Sequence, residues 1–289
     1  LKITNQYNLP RAFVEMATEE YKYKDKRYSV TSLLKGVRET ILQRRYHDKI
    51  TQDVSEMIWM LFGRAAHNIL EHQQEGAHEL KEERLEIEIG DYTLSGRFDL
   101  YCDKEKKVTD YKTCSTWKII FGDFEDWRQQ LLIYAYMLNK IGFVTTKGEV
   151  VAILKDHTKS KAKYDSSYPQ LPVHVERFDF TRDDFRAVDA WLKQKFEDIA
   201  LAETLPDDEL PLCTLEERFN DGGKWAVMQG KNKRAVRVLD TEEAANDYMT
   251  RTGKGTHVVH RPGEDKKCLD GYCMVREFCN YFIGLQRGS

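Results

Sequence analysis

The residues with the clearest chemical potential lie between Leu94 and Met137, in LSGRFDLYCDKEKKVTDYKTCSTW and, after a short gap, EDWRQQLLIYAYM. Asp99 and Asp110 can give a hard divalent ion two carboxylate ligands, and the backbone carbonyl of Tyr111 can give a third. Asp110 and Lys112 are two residues apart on an expected strand, so both point to one face. Lys112 can there orient or deprotonate water, or hold a phosphate, while its ammonium offsets carboxylate repulsion. His67 adds an imidazole from a preceding helix, a ligand that suits Mn²⁺ better than Mg²⁺. Phosphodiester hydrolysis needs charge neutralised on the phosphate and a nucleophilic water at neutral pH, and this set can supply both with Mg²⁺ or Mn²⁺. Gln130 and Tyr134 share a helix face beside these groups.

The elements around them follow from periodicity. Residues 32–47 show helical spacing at Leu33, Val37 and Ile41, with Ser29 or Thr31 as a cap. Residues 52–75 read as a longer helix with a wide apolar stripe through Ile58, Leu61, Phe62, Ala65, Ala66, Ile69 and Leu70; on it His67 and Glu71 share a face. RLEIEI at 84–89 alternates as a half-buried strand, and Gly90-Asp91 marks a turn. Strands are expected at 92–101, 107–113, 148–154 and 172–180, a helix at 125–140, and a helix from the Thr181 cap to about Ala202. Between them, Lys155, Lys159, Lys161 and Lys163, with Tyr164 and Tyr168 interleaved, form a basic loop that could track a single strand by charge and stacking.

This order implies an α/β fold with a mixed central sheet flanked by helices, not a doubly wound one. Leu205-Pro206-Asp207-Asp208 reads as a break. Beyond it come a hairpin around Gly230–Lys233, a short helix from Asp240 and a strand at 256–260. The expected domains are thus a catalytic domain at 1–204 and a small β-rich accessory lobe at 205–289.

Bulk composition narrows the function. The 289 residues are 41% hydrophobic and 32% charged, enough for a sizeable core and against disorder. A net charge of −3 argues against a protein that merely coats nucleic acid, but leaves room for a local basic groove. No apolar run reaches the ~18 residues of a membrane span, and LKITNQYNLP lacks the build of a signal peptide, so a cytoplasmic setting is expected.

Six cysteines are unevenly placed. Cys102 and Cys114 read as small core residues. Cys268-x4-Cys273-x5-Cys279 offers three thiolates, and Cys213 completes a set that would clasp the two ends of the accessory lobe. Four thiolates suit zinc or an iron–sulfur cluster, although one distant cysteine plus a trio is less typical of zinc.

Gly63 to His67, then Gly96-Arg97-Phe98-Asp99, then Asp110-Tyr111-Lys112, then Gln130-x3-Tyr134 resemble, in order and spacing over residues 30–200, the RecB-like branch of the PD-(D/E)XK nuclease superfamily. The resemblance implies a restriction-endonuclease-like core. It implies metal binding by His67, Asp99 and Asp110, catalysis by Lys112, and positioning of a DNA strand by Gln130 and Tyr134. The closing cysteine trio is similar to that of the iron–sulfur nucleases of AddB type and of CRISPR adaptation. It departs in having a first gap of four rather than two, and in placing its lone cysteine after the nuclease motifs. The cofactor expected there is a four-iron four-sulfur (4Fe–4S) cluster, with Zn²⁺ as the alternative.

The expected function is a metal-dependent DNA exonuclease. The alternatives are a structure-specific endonuclease and a nuclease-fold DNA- or partner-binding module that does not cleave. The chain has no GxxxxGK[ST] run, so any unwinding is expected from a helicase, recombination or adaptation partner; phage or CRISPR-linked processing is an analogy only.

Overall fold

A computed structural model of the chain describes residues 1–18, 23–71, 76–220, 222–253 and 255–287, apart from the side chain of Glu71. Along it run β1 (Lys2–Thr4), α1 (Arg11–Ala17), β2 (Arg27–Ser29), α2 (Val30–Leu33), α3 (Val37–Arg45), β3 (Thr51–Asp53), α4 (Val54–Glu71), β4 (Glu79–Lys81), β5 (Arg84–Ile89) and β6 (Tyr92–Arg97). Next come β7 (Leu100–Cys102), β8 (Lys107–Cys114), α5 (Thr116–Phe121), α6 (Glu125–Lys140), β9 (Lys147–Leu154), α7 (Lys159–Tyr164), β10 (Val173–Asp179) and α8 (Arg182–Thr204). The chain closes with β11 (Lys224–Gln229), β12 (Arg237–Leu239), α9 (Glu242–Thr252), β13 (Thr256–Arg261), α10 (Lys266–Leu269) and α11 (Asn280–Arg287). Among the described residues no helix is long and apolar enough to cross a membrane.

The chain divides into two compact units: Leu1–Leu34 with Asp48–Leu201, and Lys35–His47 with Ala202–Ser289. The first is built on a five-stranded sheet ordered β10-β9-β8-β7-β4, in which β8 and β9 are parallel and the other pairs antiparallel. The expected mixed sheet with flanking helices is present. A second sheet, β2-β6-β5, lies in the same unit. The strand expected over 92–101 is interrupted: β6 belongs to the second sheet and β7 to the first, with Phe98 and Asp99 between them.

The α6 helix is apolar on every side from Leu131 to Leu138, the pattern of a fully buried helix, and each of these residues is buried. It packs against β8 and β9. The α8 helix opens with a reciprocal cap: the Thr181 amide donates to Asp184 Oδ2 at 2.8 Å and the Asp184 amide to Thr181 Oγ1 at 3.2 Å, satisfying donors that the first turn leaves free.

Three local expectations are corrected. The helix expected over 32–47 is broken into α2 and α3 by an extended Gly36, where a Cβ would come within 2.8 Å of Glu217 Oε2 and 3.1 Å of Cys213 Sγ. Ser29 caps α2, as the sequence allowed. The apolar stripe of α4 is rotated: Val54, Met57 and Leu61 face a small core with Ala17, while Phe62 and Ile69 are exposed. Residues 72–75 of that expected helix, and the Glu71 side chain, lie outside the described residues. The loop expected from Lys155 to Tyr168 contains α7.

In the second unit β11 lies between β12 and β13, both antiparallel to it, which is the expected hairpin and third strand. Arg38, Glu39 and Thr40 of α3 are buried there.

Candidate metal centre

The break between β6 and β7 places Asp99. The hairpin turned at Gly90 pairs Ile89 with Tyr92 and Arg84 with Arg97, and the same register resumes with Lys81 opposite Leu100. Glu82 therefore faces Asp99, and the Glu82 amide donates to the Asp99 carbonyl at 3.1 Å. Glu82 has φ 52°, a left-handed conformation uncommon outside glycine. His67 from α4 completes the group. Ligand atoms of His67, Glu82 and Asp99 all lie within 4.8 Å of one another, a spacing that could hold a metal ion. His67 Nδ1 is 3.6 Å from Asp99 Oδ2. Burial, then the neighbouring Asp110 carboxylate, push the Asp99 carboxyl up to about 8, although its Oδ2 accepts a 2.6 Å hydrogen bond from the Tyr111 amide.

Glu82 is the residue that reading the sequence missed. The signal for it was the register: pairing counted back from the Gly90-Asp91 turn sets Glu82 opposite Asp99.

Asp110 and Lys112 extend from β8, whose residues pair in parallel with β9, Asp110 opposite Val150 and Lys112 opposite Ala152. Tyr111, expected to lend its carbonyl, sits between them opposite Val151. Asp110 is not one of the three groups whose ligand atoms lie within 4.8 Å of one another, but its charge acts on Asp99, and it is held from α6. Gln130 Nε2 donates to Asp110 Oδ1 at 3.2 Å, and Gln130 Oε1 accepts from Lys112 Nζ at 2.8 Å. Lys112 Nζ is also ion-paired with Asp110 Oδ2 at 2.8 Å. Among the described residues this buried oxygen has that ion pair and no hydrogen bond, and a carboxylate oxygen keeps a second lone pair for a metal ion. The donor set and this oxygen fit a divalent ion.

Tyr134 is one turn beyond Gln130 and buried, and burial followed by the Asp110 charge raises its phenol above the ordinary value. Its ring explains Gly96: a Cβ there would lie 2.6 Å from Tyr134 Cε1 and 2.9 Å from Val30 Cγ2. Two open clefts flank the site. One, about 580 Å³, is lined by Lys24, Arg27, Arg84, Arg97 and Tyr134. The other, about 600 Å³, is lined by Met60, Arg64, His67, Glu82 and Arg97. Arg97 contributes to both and is ion-paired with Glu82.

In the second unit Cys213, Cys268, Cys273 and Cys279 line one pocket with Arg38, Glu39 and Arg218. Arg38 Nη1 donates to Cys279 Sγ at 3.7 Å, and Lys267 Nζ lies 2.6 Å from Glu39 Oε2. Burial pushes the Cys213 thiol up to about 11 and the Cys273 thiol to about 12. Among the described residues, the sulfurs do not reach the mutual spacing found for His67, Glu82 and Asp99.

Among solved structures, similarity is found to SSO0001, with 20% identity, TM-score 0.46, and coverage of 68% of this chain and 85% of that one. It is found to a phage-related exonuclease from Haemophilus somnus 129PT, with 10% identity, TM-score 0.28, and coverage of 58% and 74%. It is found also to the alkaline exonuclease LHK-Exo from Laribacter hongkongensis, with 13% identity, TM-score 0.34, and coverage of 61% and 91%. A sequence search of curated proteins gives no match. The family model of the PD-(D/E)XK nuclease superfamily matches residues 12–280, and the chain belongs to that superfamily.

Proposed function

We propose that the chain is a divalent-metal-dependent deoxyribonuclease of the RecB-like branch, working as an exonuclease on linear or single-stranded DNA. The observation that carries this reading is the Gln130 amide, which holds both the Asp110 carboxylate and the Lys112 ammonium beside the His67–Glu82–Asp99 group. PD-(D/E)XK nucleases use divalent metals. Mg²⁺ or Mn²⁺, when bound, neutralises charge on the scissile phosphate and makes a nucleophilic water accessible at neutral pH. His67, Glu82, Asp99, Asp110 and the Tyr111 carbonyl are the groups that would hold it. Lys112, fixed by Gln130, orients the attacking water as the ammonium and, as the neutral amine, takes its proton. Gln130 and Tyr134 position the strand, and the cationic linings of the two clefts receive its backbone.

Hydrolysis is assigned to residues 1–204 and a stabilising metal scaffold to 205–289. Cys213, Cys268, Cys273 and Cys279 hold a 4Fe–4S cluster. Structural zinc usually uses two tight cysteine pairs, and one distant cysteine with a clustered trio departs from that pattern. Iron content and absorbance near 400 nm after anaerobic purification test this; a colourless protein carrying zinc reverses it. Unwinding falls to a partner protein, and the setting is cytoplasmic.

The functional test is end-labelled linear DNA against closed circular DNA with Mn²⁺. Release of nucleotides from the ends with the circle intact is the expected result. Cutting of the circle makes the protein an endonuclease, and tight binding without cleavage in any divalent metal makes it a binding module.

A further inference from the structure

One exposed surface of the first unit has no part in the site described above. Trp59 is 61% exposed on α4, Trp117 53% and Phe121 76% on α5. Single exposed aromatics are ordinary, but a contiguous cluster of them marks an interaction surface. Their arrangement is ordered. Trp117 and Phe121 stack with centroids 5.6 Å apart, and Lys155 Nζ lies 4.3 Å over the Trp59 ring. Lys161 Nζ lies 6.0 Å over Trp117.

The segments carrying Trp117 and Lys155 are tied to each other by hydrogen bonds. The Lys155 amide donates to the Cys114 carbonyl at 3.0 Å. Asp156 accepts from the Thr116 amide at 2.7 Å and from Ser115 Oγ at 2.6 Å, fixing the start of α5 to the end of β9. The face is therefore pre-formed. Lys155 and Lys161 lean on aromatic rings and make no ion pair among the described residues, so their charge is available to an anion.

Its position is informative. The face begins at Ser115, one residue past the end of β8 and three beyond Lys112, on the order of 10 Å at the rise of a β-strand. Flat exposed rings interleaved with cations suit a polyanion whose bases are unpaired and can stack. A duplex hides those base faces and would use only the charge.

We propose that the face formed by Trp59, Trp117, Phe121, Lys155 and Lys161 is a stacking platform for single-stranded DNA leading to or from the cleavage site, and that it makes the protein prefer single strands. The DNA ligand rests on the nuclease reading; the platform itself does not require cleavage.

The test measures binding without divalent metal, in chelator, so that no cleavage intervenes. The full-length protein is titrated with labelled oligothymidylate and with a matched duplex, following anisotropy and tryptophan fluorescence. Oligothymidylate should bind more tightly than duplex and quench the fluorescence. The double variant Trp59→Ala/Trp117→Ala should weaken single-strand binding by about tenfold or more, as expected for losing two stacked bases, with duplex affinity and melting temperature unchanged. Trp59→Phe/Trp117→Phe should recover most of the affinity. Lys155→Ala/Lys161→Ala should flatten the salt dependence.

Wild-type affinity for oligothymidylate in the double alanine variant overturns the proposal, as does unchanged tryptophan fluorescence on binding; the face would then serve a protein partner. The two readings fail separately. Loss of Mn²⁺-dependent cleavage as an activity leaves the metal-free binding difference in place. Absence of that difference, with cleavage intact, removes the platform alone.

Discussion

Lys112 Nζ is ion-paired with Asp110 Oδ2 at 2.8 Å and donates a hydrogen bond to Gln130 Oε1 at the same distance. Gln130 bridges the pair, since its other end donates to Asp110 Oδ1. The amide thus holds the carboxylate and the ammonium in one fixed arrangement.

Gln130→Ala should therefore lower Mn²⁺-dependent cleavage by about 10- to 100-fold, the usual cost of removing a group that orients ligands. Asp110 would lose its Gln130 donor and Lys112 its acceptor, so the half-saturating metal concentration should rise as well. Gln130→Glu should not rescue, because a carboxylate cannot donate to Asp110. Cleavage rates across a metal titration check both statements.

Glu82 faces Asp99 across the interrupted hairpin and is within reach of the ligand atoms of His67. Glu82→Gln should raise the Mn²⁺ concentration for half-maximal activity by roughly tenfold or more, with little change in melting temperature in chelator. Its salt bridge with Arg97 is partly solvated and of small value to stability. Isothermal titration with Mn²⁺ gives the affinity directly. An unchanged affinity would exclude Glu82 from the metal shell.

Asp53 links β1 to the start of α4. It accepts from the Gln6 amide at 2.8 Å, from Ser55 Oγ at 2.7 Å and amide at 3.1 Å, and from Thr4 Oγ1 at 3.0 Å. The Gln6 and Ser55 bonds hold its carboxyl at about 2, below the ordinary 3.8. A lowered carboxyl stabilises the fold above the unfolded value and loses that contribution as pH falls from 3.8 towards 2. Hydrogen exchange of the amides at residues 2–6 should accelerate in that window, relative to the rest of the chain, after correction for intrinsic rates. Asp53→Asn should show the loosened state at neutral pH already.

Much of this was legible in the sequence, for reasons that particular residues make clear. RLEIEI alternates because one face of β5 is buried, and α6 announces its burial through the unbroken Leu131–Leu138 run. Asp110 and Lys112 were found because a strand's period of two needs no tertiary information. What was lost depends on contacts distant in sequence. Gly36 breaks the expected helix where the chain leaves one compact unit for the other, which periodicity at Leu33, Val37 and Ile41 does not show. Phe62 and Ile69 fit an apolar stripe equally well, yet α4 buries the Val54–Leu61 side against Ala17. Asp99 reads as mid-strand until two sheets are seen to diverge at it. Glu82 was missed because finding it requires pairing residues across the turn instead of along the chain.

The most direct test of the account compares Asp110→Asn and Lys112→Ala with the wild-type protein on end-labelled linear DNA in Mn²⁺, after each is shown to keep the wild-type circular dichroism spectrum and melting behaviour. Both folded variants should lose cleavage to the background of the assay, because Asp110 offers the available ligand oxygen and Lys112 the proton-handling amine. Wild-type-level cleavage by both would contradict the account.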